Sequence, residues 1–458
     1  MAPTVIVLGA TGDLTARYLL PGLAQLVGNP ALDGLRLVGV ANDDLDDDAF
    51  RAHVSAALAA HAGAAPEVDR SVLAQHVRYV RGDVTEPETL KAALAHADGD
   101  DDAAPVVVYL ALPHVLFESV IAALGSCELS EGTRVVVEKP FGEDLEGAAR
   151  LNAALARVLP DDRVFRVDHF LAKQTVLNIL GLRFANRVFE PLWSSAHISS
   201  VDIVFDETVD AQGRAAYYDK SGALRDMVQN HLLQVLTLVA MEAPLTVSPA
   251  DISARKVDVL RAITGMSPDE ARARTVRGRY TAGEVKGRAV DAYVDAPGVD
   301  PGRGTETYAQ VTLFIQNWRW AGVPFTLRTG KALARDSREV VVRFADVPHQ
   351  AFAGSGARNE LRLQLDPDRM SLRVNVNGIG DPFDLEHVDL DAELAKQEPT
   401  PYGQLLLAIL DGDTRLSARA QEAEEAWRIV EAILAAWGEG TVPLVDYAAG
   451  SDGPAAPA

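Results

Sequence analysis

Four short stretches hold the side chains whose types and spacing suit chemistry. FRVDHFLAKQ (165–174) places Asp168, His169 and Lys173 within six residues. Helical spacing from His169 to Lys173 predicts both cations on one face, the arrangement of a phosphomonoester clamp; the plainer reading is a helix start with a solvated lysine. RDMVQNHLLQ (225–234) sets His231 in an otherwise apolar helix. A histidine there is ordinarily a satisfied core residue, but Asp226 and Asn230 give the same helix a polar stripe. On a helical wheel His231 does not lie beside Asp226. A carboxylate that orients its imidazole must come from elsewhere, and Asp168 is the candidate.

EKPFG (138–142) ends a strand at Lys139 and Pro140. Open parallel sheets bind ligands at the carboxyl ends of their strands, so Lys139 is placed to reach a nicotinamide or a phosphorylated substrate; otherwise it is a surface lysine before a proline-marked turn. GATGDL (9–14) follows the apolar run Val5–Leu8 and precedes the helical leucine spacing of TARYLLPGLAQLV. Glycine lets an anion approach unsatisfied N–H groups at a helix start, with Thr11 adding a hydroxyl donor. The alternative is an ordinary strand-to-helix turn capped by Thr11 or Asp13.

The elements that must position these groups fall into two textures. Up to about residue 167, aliphatic runs at 4–9, 35–41, 77–84, 106–113 and 133–140 alternate with helical patterns such as 114–124. That is the doubly wound α/β pattern, and a glycine turn after its first strand is where such a sheet binds pyrophosphate. After about residue 195, longer alternating runs at 198–209, 307–320, 338–344, 359–365 and 370–378 predict an antiparallel sheet with one packed face. Helices interrupt it at 221–241 and 421–438. The expected fold class is an α/β Rossmann-type dinucleotide-binding domain (1–167) followed by a larger α+β domain built on an antiparallel sheet (168–458), for substrate binding and oligomerisation.

Composition narrows the function. A chain of 458 residues carries a formal net charge of −22, which argues against non-specific nucleic-acid or anionic-membrane binding. Much of that charge sits in runs such as DDLDDDAF (43–50) and ADGDDDAAP (97–105), read as solvated loops or helix faces. Without a signal-like or membrane-length apolar run, a soluble cytoplasmic protein is expected. The single cysteine, Cys127, excludes an intrachain disulfide framework and reads as a small hydrophobe, and no metal constellation is visible. The tail AAGSDGPAAPA (448–458) has low complexity.

Taken together, GATGDL, EKPFG, RVDHFLAKQTVLNILGLRFANRVFEPLW (166–193), RDMVQNHLLQ and NWRWAGVPFTLRTGKAL (317–333) resemble the glucose-6-phosphate dehydrogenase family in order and spacing over nearly the whole chain. The resemblance implies oxidation of D-glucose 6-phosphate to 6-phosphoglucono-1,5-lactone, the first step of the oxidative pentose phosphate pathway, with NAD or NADP as hydride acceptor. It implies that His231 is the general base and Asp168 its carboxylate partner, and that His169 and Lys173 are phosphate ligands. Lys139 would touch substrate and coenzyme, while Glu207, Asp226 and Lys331 would line the sugar. Gly9, Thr11, Gly12, Asp13 and Leu14 would cradle the dinucleotide, with Asn42, Asp43, Lys139 and Pro140 as further coenzyme contacts. A homodimer or homotetramer is the implied assembly. The competing readings are a related hexose or hexose-phosphate dehydrogenase and a non-catalytic dinucleotide-sensing paralogue.

Three positions depart from the family pattern: Phe170 replaces a tyrosine, Gln174 a glutamate, and the second strand ends Ala41-Asn42-Asp43-Asp44 without the usual arginine. In Rossmann folds that strand end meets the adenosine ribose, where a carboxylate favours a free 2′-hydroxyl and an arginine a 2′-phosphate. NAD preference or dual specificity is therefore expected, with Arg17 as the cation able to rescue NADP.

Overall fold

Val5, Ile6, Val7 and Leu8 are all within 1% of complete burial, as a strand covered on both faces requires. In the computed structural model, which describes residues 2–29, 33–63, 67–97, 104–352, 356–381, 383–395 and 397–454, they form the centre of a parallel sheet. The acidic run at 97–105 and the tail at 448–458 lie partly outside the described residues. The chain divides into two compact units. The first comprises Met1–Ala172, Leu245–Ser253 and Gln397–Glu424; the second comprises Lys173–Pro244, Ala254–Lys396 and Glu425–Ala458.

In the first unit the strands are β1 (Thr4–Leu8), β2 (Arg36–Ala41), β3 (Val77–Arg81), β4 (Val106–Leu110), β5 (Thr133–Glu138) and β6 (Val164–Val167). They are ordered β6-β5-β4-β1-β2-β3, all parallel, with the two-residue strand Ser417–Ala418 added antiparallel to β6. This is the doubly wound order. The helix Phe117–Leu124 packs Phe117, Val120, Ile121 and Leu124 onto Ile6, Leu8, Val108 and Val137, and Cys127 lies against the same core. The acidic run after β2 has a local use. Asp46 caps the helix Asp47–His61 by accepting from Ala49 N at 2.8 Å, and Asp47 and Asp48 sit in its first turn, where the helix dipole favours negative charge.

The helix after the glycine turn begins as a π-type turn, Thr15–Leu19, and continues as an α-helix, Leu20–Ala24. Pro21 has no N–H to donate to the carbonyl four residues back, and the chain widens by one residue around that gap.

The second unit is built on a nine-stranded sheet ordered Leu385–Glu393, Asp368–Asn377, Glu360–Leu365, Ser337–Phe344, β7 (Ile198–Asp206), Pro324–Gly330, Tyr308–Phe314, Thr275–Thr281 and Leu444–Ala448. It is mixed rather than purely antiparallel, because β7 pairs in parallel with Pro324–Gly330 and Leu444–Ala448 in parallel with Thr275–Thr281. Each parallel partner arrives after a long excursion through helices, which a period-two pattern cannot register. The run at 307–320 stops being a strand at Phe314. There Asn317 turns the chain by accepting from Trp320 N at 2.9 Å, and the buried Trp320 indole donates to Ala240 O at 2.7 Å. Among the described residues no helix is long and apolar enough to cross a membrane.

Candidate active site

In the first unit the site is assembled at the carboxyl ends of the parallel strands. Gly9 follows β1 with φ +87, and a Cβ there would lie 2.3 Å from Ala111 O, so only glycine fits this turn. Gly12 N donates to Gly9 O at 3.0 Å and Thr15 Oγ1 to the same oxygen at 3.1 Å, which closes the loop on the carbonyl of Gly9. Asp13, exposed, pairs with Arg17 at 2.7 Å, and Leu14 leads into the helix. The Thr11 hydroxyl donates to Asp43 Oδ2 at 2.6 Å. The end of β2 is thus tied to the glycine turn, and Asn42 and Asp43 are exposed there. Arg17, the cation able to rescue NADP, makes this exposed pair one turn into the helix.

Lys139 follows β5 and is joined to Pro140 by a cis peptide bond. The preceding residue, Glu138, accepts from the buried Tyr109 hydroxyl at 2.5 Å. Desolvation pushes the Glu138 carboxyl up to about 7, with the Asp168 charge adding to the rise and Tyr109 and Lys139 opposing it. Between pH about 4.5 and about 7 the folded protein therefore holds a proton that the unfolded chain releases, so this group's contribution to stability declines as pH rises through that window. Glu138→Gln keeps an acceptor for Tyr109 and removes the ionisation. It is expected to raise Tm relative to the parent at about pH 8 and to change it little near pH 4.5, and an equal Tm difference at both pH values would contradict this assignment.

Asp168 lies just after β6 and is 1% exposed. The segment after it is a turn, not the helix that the spacing predicts: Leu171 N donates to Asp168 O at 3.0 Å and Phe170 N to Asp168 Oδ1 at 2.9 Å. An aspartate side chain that bonds the backbone two residues on competes with helix, which is why the helix begins only at Gln174. His169 and Lys173 therefore share no helical face, contrary to their four-residue spacing. His169 is instead held by rings: Phe170 meets it edge-on at 5.0 Å, and Tyr402 stacks on it at 5.7 Å. Tyr402 in turn stacks on Tyr18 at 5.0 Å. The Phe170 ring is 3% exposed.

In the second unit Lys173 immediately precedes the helix Gln174–Phe184, its ammonium 5.9 Å from the Phe205 ring, and Arg338 lies 4.9 Å from the same ring. Glu207 follows β7 and meets Lys331 Nζ at 2.5 Å, with Arg338 3.7 Å from its other oxygen. The backbone fixes this pair: Glu207 N donates to Gly330 O at 2.9 Å, Lys331 N to Thr307 O at 3.0 Å, and the Tyr447 hydroxyl to Lys331 O at 2.7 Å. Lys331 Nζ also lies 5.4 Å from the centre of the Tyr218 ring. Burial pushes the Tyr218 hydroxyl well above its ordinary value, with Asp226 the largest of the neighbouring charges.

The helix bearing His231 is the main local surprise. Leu224–Leu232 is π-type, closing through i→i+5 hydrogen bonds, and it continues as an α-helix over Leu233–Ala240. A residue and the one five further on then stand about a turn apart, so Asp226 and His231 fall on the same side, where an α-helical wheel separates them. His231 is 1% exposed. Gly222, at φ +68, breaks the chain ahead of this segment, and a Cβ there would lie 2.4 Å from Glu306 Oε1. Glu306 Oε1 accepts from Leu224 N at 3.0 Å and Glu306 O from Ala223 N at 3.1 Å, so a buried carboxylate satisfies the start of the π segment.

The sequence reading did not single out Glu138, Tyr109, Tyr402, Tyr218, Glu306 or Arg338. Glu138 stood in plain view in EKPFG; the others act through partners far away in the chain.

Two family models cover the chain: "Glucose-6-phosphate dehydrogenase, NAD binding domain" over residues 6–178 and "Glucose-6-phosphate dehydrogenase, C-terminal domain" over residues 180–458. Glucose-6-phosphate 1-dehydrogenase of Treponema pallidum is 37% identical over 100% of this chain and 93% of its own length. The Mycolicibacterium smegmatis protein of that name is 39% identical over 98% of this chain and 94% of its own. Among solved structures, glucose-6-phosphate 1-dehydrogenase from Mycobacterium avium aligns at TM-score 0.86 and 36% identity, covering 99% of this chain and 95% of its own. A glucose-6-phosphate dehydrogenase in complex with its substrate glucose 6-phosphate aligns at TM-score 0.90 and 31% identity, covering 99% and 96%.

Proposed function

The chain belongs to the glucose-6-phosphate dehydrogenase family, and from that membership we propose the following division of labour for an NAD(P)-dependent oxidation of D-glucose 6-phosphate at C1. His231 takes the proton of the anomeric hydroxyl, and Asp168 favours the imidazolium that results. His169 and Lys173 bind the phosphate. Glu207, Asp226 and Lys331 hold the sugar hydroxyls, and Lys139 attends both substrate and coenzyme. The dinucleotide, when bound along Gly9, Thr11, Gly12, Asp13 and Leu14, supplies the hydride acceptor. The supporting observation is the second unit's own polar cluster: Lys331 and Glu207 paired at 2.5 Å and fixed by backbone bonds, with His231 on a π segment that carries Asp226 on the same side. Donors and acceptors held this rigidly suit the ring of a polyol. A sensor of dinucleotides would need the glycine turn alone.

Supplying C1-deuterated glucose 6-phosphate tests the reaction. The deuterium should appear in the reduced coenzyme and the product should be the 1,5-lactone; label retained in the sugar would refute hydride removal at C1. The exposed apolar residues Val376, Val388 and Leu390 on the outer strands of the large sheet support a homodimer or homotetramer, and we propose a cytoplasmic location, with which the lack of a membrane-crossing helix among the described residues is compatible.

For the coenzyme we propose NAD use at least equal to NADP. Asn42 and Asp43 follow the second strand, whose end meets the ribose in Rossmann folds, and the Asp43 carboxylate accepts from Thr11 there. Asn42→Arg/Asp43→Ser should move the NADP/NAD ratio of kcat/KM about tenfold or more toward NADP. A parent enzyme that already prefers NADP more than about tenfold would contradict the reading.

A further inference from the structure

The first unit carries a cation at the ribose end of the sheet that β2 itself lacks. β2 and β3 are paired in parallel, with Ala41 opposite Arg81 at their carboxyl ends. The Tyr79 hydroxyl donates to Ala41 O at 3.2 Å and to Asp43 O at 2.9 Å, so β3 fixes the backbone of the turn that Thr11 holds from the other side. Two residues beyond Tyr79, Arg81 leaves the same face of β3 and pairs with Asp44 at 2.5 Å. Both partners are largely in solvent, with side-chain exposures of 57% and 85%. An ion pair so exposed contributes little and is readily exchanged for a better anion.

We infer that Arg81 is the residue of this chain that reads an adenosine 2′-phosphate, and that Asp44 competes with that phosphate for it. The inference rests on the dinucleotide reading above. Thr11, Asp43 and Tyr79 tie the ends of β1, β2 and β3 together around the position where Rossmann folds hold the ribose. Arg81 stands at that junction, and a guanidinium grips a phosphate dianion by two parallel hydrogen bonds more strongly than it grips a solvated carboxylate. Asp44 offers the competing acceptor. The pair sets the balance: Arg81 permits NADP, and Asp44 keeps NAD in contention by occupying Arg81 when no 2′-phosphate is present.

Calorimetric titration of the full chain with NAD, NADP and adenosine 2′,5′-bisphosphate, without sugar, separates the outcomes. Arg81→Ala should weaken NADP and the bisphosphate about tenfold or more and leave NAD within about twofold. Asp44→Asn should tighten the two 2′-phosphorylated ligands by up to about fivefold, again with NAD unchanged. Equal changes for NAD and NADP, or no change for the bisphosphate in either variant, would overturn the role of Arg81 while leaving the dinucleotide site intact. A parent chain that binds neither NAD nor NADP would overturn both. Unchanged NAD affinity also shows that the variants are folded.

Discussion

Replacing His231 by Asn or Ala lowers kcat roughly 10²–10⁴-fold and leaves glucose 6-phosphate binding largely intact, the range expected when a general base is lost. His231 is 1% exposed on the π segment Leu224–Leu232, with Asp226 on its side and the start of the segment satisfied by Glu306. A histidine that merely filled core would, on replacement by Ala, lower stability and leave kcat per folded molecule unchanged. Thermal unfolding alongside single-turnover rates separates the two, and a variant that keeps more than about half the parent's kcat would remove His231 from the chemistry. Asp168→Asn should cost less than loss of His231, because in the proposed division of roles it removes only the carboxylate that favours the imidazolium and leaves the base in place.

The second large effect concerns phosphate recognition. Lys173→Ala should raise KM for glucose 6-phosphate about tenfold or more, since a charge-assisted hydrogen bond to a phosphate is worth about 1.5–3 kcal/mol. It should change the far weaker turnover of unphosphorylated glucose little. Lys173 sits ahead of its helix without capping it by side chain, so its removal leaves the helix start unharmed. Equal effects on both sugars would place Lys173 away from the phosphate. His169→Ala should act in the same direction, with an added loss of stability from the ring stack on Tyr402.

The parts of the fold legible in the sequence are those where local pattern and burial coincide. The β-branched run Thr4–Leu8 and its counterparts announce a parallel sheet because strands covered on both faces are apolar throughout, and the glycine turn marks its ligand edge. The stretch 317–333 was legible as a motif but not as structure, and 224–232 was legible as helix but not as a π segment. Pro324–Gly330 is a strand paired in parallel with β7, and the π segment depends on a buried carboxylate, Glu306, some eighty residues later. The turn at Asp168 was hidden for a different reason. Histidine and lysine four apart suggest a helix, yet the aspartate side chain bonds its own backbone and wins over that spacing. At the ribose end, Asn42 and Asp43 were visible because the end of the second strand is where Rossmann folds read the coenzyme. Arg81 was not, because its relation to Asp44 exists only once β2 and β3 are paired. The stacking of Tyr402 on Tyr18 and on His169 was out of reach in the same way, because both contacts join residues far apart in the chain.

The most direct test of the account is the initial rate of nicotinamide reduction by the purified chain with glucose 6-phosphate, glucose, and the 6-phosphates of mannose and galactose, each with NAD and with NADP. The expected result is rapid reduction with glucose 6-phosphate, at least as efficient with NAD as with NADP, and kcat/KM lower by about tenfold or more for every other sugar. Comparable rates with free glucose or with another hexose phosphate, or no reduction of either coenzyme by glucose 6-phosphate, would contradict it.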